Sequence, residues 1–331
     1  MFNPASVHVT EVPIPVESPA DDGPVYPSVI DVGTDGSVYF GQLNTSEAIF
    51  GNFGIFRYSG GGIVQTLPFP QQNMTAGGVD AIDAHDSPTV VWSSTYKDNS
   101  QILAFGDNLE CGANGNVASA CSFSGLAGFI YSLVVARDGT VWTAGANCCG
   151  AGAGAYPAQF PSDAAANSSI AILANGPNSH VWGLLEPSGP MYEFDSNGAV
   201  LNTYELLPGS TLQGIDVLVQ GPDGNLWFTD AGHNAIARMT PSGVITEFPI
   251  PTANSGVESI AVSTDGALWF TETTASKVGR IDITGKIYDF TLPTPNAGPT
   301  AIAPAPPLAP ATAGRLWFTE TSANKIASIT Y

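Results

Sequence analysis

GPDGNLWFTD at 221–230 and STDGALWFTE at 263–272 carry one pattern, and GRLWFTE at 314–320 repeats its second half. The first two open on a turn signal, because glycine accepts positive φ and aspartate bonds its own backbone. All three continue as a short apolar run with a tryptophan and end on an acid. A run this short, bounded by turn residues, reads as a buried strand. Looser copies lie upstream: TDGSVYF at 34–40, DSPTVVW at 86–92, RDGTVWT at 137–143 and PNSHVWG at 177–183. Aligned on Tyr39, Trp92, Trp142, Trp182, Trp227, Trp269 and Trp317, the copies recur every ~40–50 residues, enough for four short strands. One aromatic marker per unit at that period predicts an all-β chain, a seven-bladed β-propeller of four-stranded blades, with 1–331 as a single domain.

Outward from 263–272, the rest of a blade follows. VESIAVS (257–263) is the inner strand, ALWFTE (267–272) the second, KVGRID (277–282) the third and KIYDFTLP (286–293) the outer one. Pro293 ends the last of these because it cannot donate to a ladder. The same grammar fits 212–251. It weakens between 97 and 165, where insertions rich in Gly, Ala, Asn and Ser are expected. NKIASITY (324–331) is a third strand with no outer partner, while VHVTEVPIP (7–15) matches the outer strand VITEFPIP (244–251) with no blade before it. Residues 7–15 are therefore expected to pair with 324–331 and close the ring, covering an open edge.

The charge balance narrows the partners. Nine Lys and Arg face 29 Asp and Glu, a net charge of −20, and such a surface repels phosphate backbones, which excludes nucleic acid. It suits solubility or attraction of cations. No apolar run is long enough to be a transmembrane segment. Clustered cysteines in a chain poor in lysine favour an oxidising compartment, so the expected location is secreted, periplasmic or cell-surface. Residues 1–30 carry no charged stretch followed by an apolar one, and any secretory leader is expected outside this sequence. Cys111 and Cys121 suit a local disulfide, with Cys148–Cys149 as a vicinal pair; separate bridges between the two groups remain the alternative.

Candidate site residues fall in two sets. The first residues of the inner strands, Ser28, Asp80, Tyr131, Gln213, Glu258 and Thr300, are expected to ring a channel mouth and bind ligand, with Asp31, Asp83 and Asp216 one layer deeper. Asp230, Glu272 and Glu320 end second strands in three adjacent units and are expected on one rim. Converging carboxylates there would raise one another's pKa or hold Mg²⁺ or Ca²⁺. His233, three residues after Asp230, is the histidine placed to act as a general base. No nucleophile motif of the G-x-S-x-G kind is present.

The consensus G-P-D-G-x-L-W-F-T-E, then N-K-I, then I-T-E-F-P-I-P resembles the virginiamycin B lyase (streptogramin lyase) family of seven-bladed propellers, closely over 211–331 and in outline before that; NHL-type propellers are similar. The resemblance implies a magnesium-assisted elimination that opens a cyclic depsipeptide ester. It places the metal-binding Glu at the end of a second strand, at Glu272 or Glu320, with the catalytic histidine within two residues. Thr273-Thr274 and Thr321-Ser322 stand there instead, so the family's Glu-x-His base is missing at those positions. The favoured function is therefore binding of a small molecule, glycan or protein at the loop-bearing face. A metal-assisted lyase acting on an ester or glycan and a structural module of a surface protein are the alternatives.

Overall fold

The computed structural model describes residues 2–15, 26–43, 54–59, 62–68, 79–83, 91–95, 100–111, 116–126, 129–136, 141–146, 154–156, 170–185, 190–205, 217–306 and 314–331. The described strands form antiparallel sheets, six with four strands and one with three. In chain order their inner strands are Tyr26–Val32, Val79–Asp83, Phe129–Val135, Ile170–Asn175, Leu218–Gln220, Val257–Val262 and Pro299–Pro304. Each inner strand packs beside the next, and the last packs beside the first, so the sheets stand around a common axis in a propeller-like ring.

The sixth sheet follows the sequence closely: Val257–Val262, Leu268–Glu272, Lys277–Ile281 and Ile287–Thr291. Its tryptophan repeat has a packing reason. Trp269 reaches across the third strand and stacks on Phe290 of the outer one, ring centres 5.4 Å apart. Trp227 does the same with Phe248 at 5.4 Å, and Trp182 with Tyr204 at 5.3 Å. The phenylalanine that follows faces the neighbouring sheet instead. Phe270 joins Trp227, Ile236, Val257 and Ile260 in a cluster shared by the fifth and sixth sheets. The core therefore lies between sheets, and consecutive W-F residues serve opposite faces, as alternation along a strand requires. Gly221 and Gly279 are set by the same rings: a Cβ on either would come within 2.3 Å of Trp227 or 2.1 Å of Phe270.

His8–Pro13 pairs antiparallel with Lys325–Thr330, from His8 opposite Thr330 to Pro13 opposite Lys325. The last sheet is thus built from both ends of the chain, as the terminal sequences require. Asn324 Nδ2 donates to Ile14 O, and Phe2 packs against Trp269, Tyr288 and Phe290.

Two expectations are corrected. The stretch read as insertions contains two long strands, Ser100–Cys111 and Asn116–Leu126, which form an extended hairpin on the second sheet. In that ladder Cys121 lies opposite Ala104 and Cys111 opposite Asn116. Five positions of extended strand place the two cysteines ~17 Å apart, too far for the local disulfide. Cys148 and Cys149 lie outside the described residues.

Candidate functional site

Six inner strands carry a register shift near their starts, between Pro27 and Val29, Val79 and Ala81, Ile130 and Ser132, Ile170 and Ile172, Val257 and Ile260, and Pro299 and Ile302; residues 206–216, before the fifth sheet's inner strand, lie outside the described residues. A bulge bends the strand and re-aims the extra side chain. Ser28, Asp80, Tyr131, Glu258 and Thr300, chosen from sequence as the channel-mouth ring, all stand at these bulges. Ala171 takes the place in the fourth sheet, where no residue was expected; Gln213 and Asp216 lie outside the described residues, as do the side chains of Asp80, Asp83 and Tyr131.

The threonine of W-F-T secures the bulge. Thr271 Oγ1 accepts from Ser259 N at 3.0 Å and donates to Thr300 O of the next sheet at 2.8 Å. Thr319 Oγ1 accepts from Ala301 N at 3.0 Å and meets Thr300 Oγ1 at 2.7 Å. Glu258 Oε2 accepts from Thr273 Oγ1 at 2.6 Å. Among the described side chains, Thr271, Thr300, Thr319 and Glu258 thus line the mouth as hydroxyls and a carboxylate, each bonded to a neighbouring strand, sheet or loop. Asp31 is buried one layer deeper and accepts from Val32 N at 2.8 Å.

Asp230, Glu272 and Glu320 do end their second strands, and they are 1%, 0% and 0% exposed. They do not form one ligand set. Each meets an acid on the outer strand of its own sheet: Asp230 with Glu247, Glu272 with Asp289, and Glu320 with Glu11. Burial, and then Asp289, pushes Glu272 up to about 7, with Lys277 opposing. Burial and Glu11 likewise push Glu320 up to about 7, against Lys325. Neither oxygen of Glu320 accepts a hydrogen bond. Mg²⁺ or Ca²⁺ shared by the three residues does not fit this arrangement, because hard cations need several oxygens around one point.

The outer-strand acids were missed from sequence, although a signal exists: ITEFP, IYDFT and VTEVP align Glu247, Asp289 and Glu11. Lysines answer two of the pairs. Lys277 Nζ donates to Thr252 Oγ1 at 2.8 Å, which donates to Asp289 Oδ2 at 2.9 Å. Lys325 Nζ donates to Glu11 Oε2 and Thr294 Oγ1, both at 2.6 Å. Because Thr252 and Thr294 come from the preceding sheet's exit loop, each cluster also clasps two sheets.

In the fifth sheet the corresponding third-strand residue is Ala235, opposite Asp230 as Lys277 is opposite Glu272 and Lys325 opposite Glu320. His233 fills the role from the loop. Its Nδ1 lies 2.9 Å from Asp230 Oδ2 and 2.9 Å from Glu247 Oε1. The hydrogen bond to Asp230 and that carboxylate's charge raise the His233 pKa, with a smaller push from Glu247. Among the described residues this trio is the group whose ligand atoms converge, within 4.8 Å.

Comparison with known proteins agrees with this architecture. Residues 122–331 match the virginiamycin B lyase family. A stretch of 33 residues is 54% identical to virginiamycin B lyase of Bordetella bronchiseptica, spanning 10% of this chain and 11% of that relative. A catalytically inactive histidine-to-alanine variant of virginiamycin B lyase from Staphylococcus aureus, crystallised with quinupristin, has the same fold: TM-score 0.72, 20% identity, 98% of this chain and 100% of that one. The extracellular domain of a putative hybrid two component system from B. thetaiotaomicron is also similar, with TM-score 0.65 and 14% identity over 97% of this chain and 40% of that one. The W-F-T repeat, the ring of sheets and the match over more than half its length agree: the chain belongs to the virginiamycin B lyase family.

Proposed function

We propose that this protein is a secreted or cell-surface seven-bladed propeller that binds a small molecule, glycan or protein through its loop-bearing face without turning it over. The observation that carries this reading is the burial of Glu272 and Glu320, the two carboxylates in the place of the family's metal ligand. Both are 0% exposed, and a carboxylate sealed inside its blade does not touch a substrate to exchange a proton with it. His233, the remaining base, has its Nδ1 engaged with Asp230 and Glu247. The binding surface is the ring at the channel mouth, where Glu258 and Thr300 stand at the same bulge position as Asp80 and Tyr131, with Gln213 assigned to it from sequence alone. The low basic content and the four cysteines support a location outside the cytoplasm.

Family membership favours a second reading, a metal-assisted lyase that opens an ester by elimination. Quinupristin distinguishes the two. Incubated with the full chain and Mg²⁺, it is expected to remain closed, and chromatography reads the outcome because elimination yields an isomer of equal mass. Efficient ring opening overturns the binding reading. A His233→Ala variant then shows whether the base is His233 or another group.

A further inference from the structure

We propose that Asp230, His233 and Glu247 form a site for a divalent transition ion of the zinc type, on the fifth sheet and independent of whatever binds at the channel mouth. The geometry begins at His233 Nδ1, which has two carboxylate oxygens at 2.9 Å, Asp230 Oδ2 and Glu247 Oε1. A ring nitrogen carries at most one hydrogen. The contact with Asp230 has hydrogen-bond geometry, whereas Glu247 Oε1, itself buried, has no hydrogen-bond partner. One imidazole nitrogen and two carboxylate oxygens therefore face a common point, with a hydrogen bond satisfying only one of the two acids. That donor set suits Zn²⁺ better than Mg²⁺ or Ca²⁺, which prefer oxygen alone.

The sister sheets supply an independent observation. In the sixth and seventh sheets the same pair of acids has a lysine at the head of the third strand, Lys277 or Lys325. The fold thus puts a positive charge beside this acid pair twice. In the fifth sheet the lysine position is Ala235, and the loop brings an imidazole instead. The site is also open: the side chains of His233 and Glu247 are 33% and 29% exposed, while Asp230 at 1% anchors the base. Asp230 is held in place by His233 N, which donates to its Oδ1 at 3.2 Å. Three protein ligands leave a coordination position for water. The ion takes the Nδ1 lone pair: from the imidazolium that proton passes to solvent, and from the neutral ring it moves to Nε2, so binding weakens at pH values where the ring is cationic.

Calorimetry of the full chain, stripped with chelator and titrated with Zn²⁺, is expected to show one ion per chain. His233→Ala and Glu247→Gln are each expected to weaken it by about tenfold or more. Ala235→Lys, which copies the sister sheets, is expected to abolish it. His180→Ala, at a different histidine–glutamate pair, leaves it unchanged. Should His233→Ala fail to fold, Glu247→Gln decides alone, since it keeps the shape of the side chain. Failure of the wild type to bind Zn²⁺ at millimolar concentration overturns the proposal. So does tight binding that survives both His233→Ala and Glu247→Gln.

Discussion

The threonine of W-F-T is buried, small and polar, and its place in the repeat is explained by what lies on either side of it. A bulge leaves an inner-strand N–H without a ladder partner, and the hydroxyl accepts from it while donating to the adjacent sheet. One side chain thus repairs a defect within a sheet and joins two sheets. Thr271→Val keeps the shape and removes both bonds, leaving the buried Ser259 N and the half-buried Thr300 O without them. The expected cost is about 1–3 kcal/mol, read as a lower urea midpoint. Thr246→Val, on an exposed outer-strand position, is the matched control and is expected to change stability by less than about 0.5 kcal/mol. Equal effects at the two sites would refute the bridging role.

At the scale of the strand, the N-terminal segment is the element whose removal is most informative. His8–Pro13 is the outer strand of the last sheet, and Val7, Val9, Val12 and Phe2 pack into the clusters on either side. Arg280 also lies over the Phe2 ring, 3.9 Å from its centre. Deleting residues 1–16 is expected to remove on the order of 5 kcal/mol of apolar burial and to expose the edge of Lys325–Thr330. A chain that melts at the same temperature without the segment would show that the ring does not depend on it. This strand was legible because VTEVP repeats ITEFP, and an outer strand without a blade must complete another. The inner and second strands were legible for a similar reason: apolar runs between turn residues have few other readings. The bulges were not, because one extra residue at a strand's start leaves the apolar pattern intact. The long hairpin at 100–126 was hidden by Gly, Ala, Ser and Asn, which carry little strand preference. The acid pairs were half legible. Alternation gives the face on which Asp230 or Glu247 stands, but their meeting across the intervening third strand depends on the register.

For the whole molecule, a net charge of −20 and two sealed carboxyls, Glu272 and Glu320, set the direction of the pH dependence. Glu272 and Glu320 have folded-state pKa values raised to about 7 from an ordinary 4.5, by burial first and by Asp289 or Glu11 second. A raised carboxyl holds its proton more tightly folded than unfolded. Neither group costs stability while both states are protonated, below about pH 4.5. Between that pH and about 7 the unfolded chain ionises first, so stability falls as pH rises, and above 7 the penalty is constant. Glu11, Asp223 and Asp282 oppose this at the acid end. Burial would raise them, but bonds from Lys325 and Thr294, from Trp227 and Asn225, and from Thr284 and Lys286 outweigh it and lower their pKa values. Their contribution is present above the ordinary carboxylate range and is lost as pH falls through their folded values. Maximal stability is therefore expected near pH 5, with a decline toward pH 8 that added salt reduces by screening the surface charge. Unfolding by urea across pH 4–8 in chelator measures it. The Glu272→Gln/Glu320→Gln double variant separates the buried pairs from the surface charge: it is expected to gain about 1–3 kcal/mol at pH 8 and nothing at pH 4.5. A wild-type protein more stable at pH 8 than at pH 5, or a double variant with the same gain at both, would mean that these two carboxyls ionise in the folded protein as they do in water.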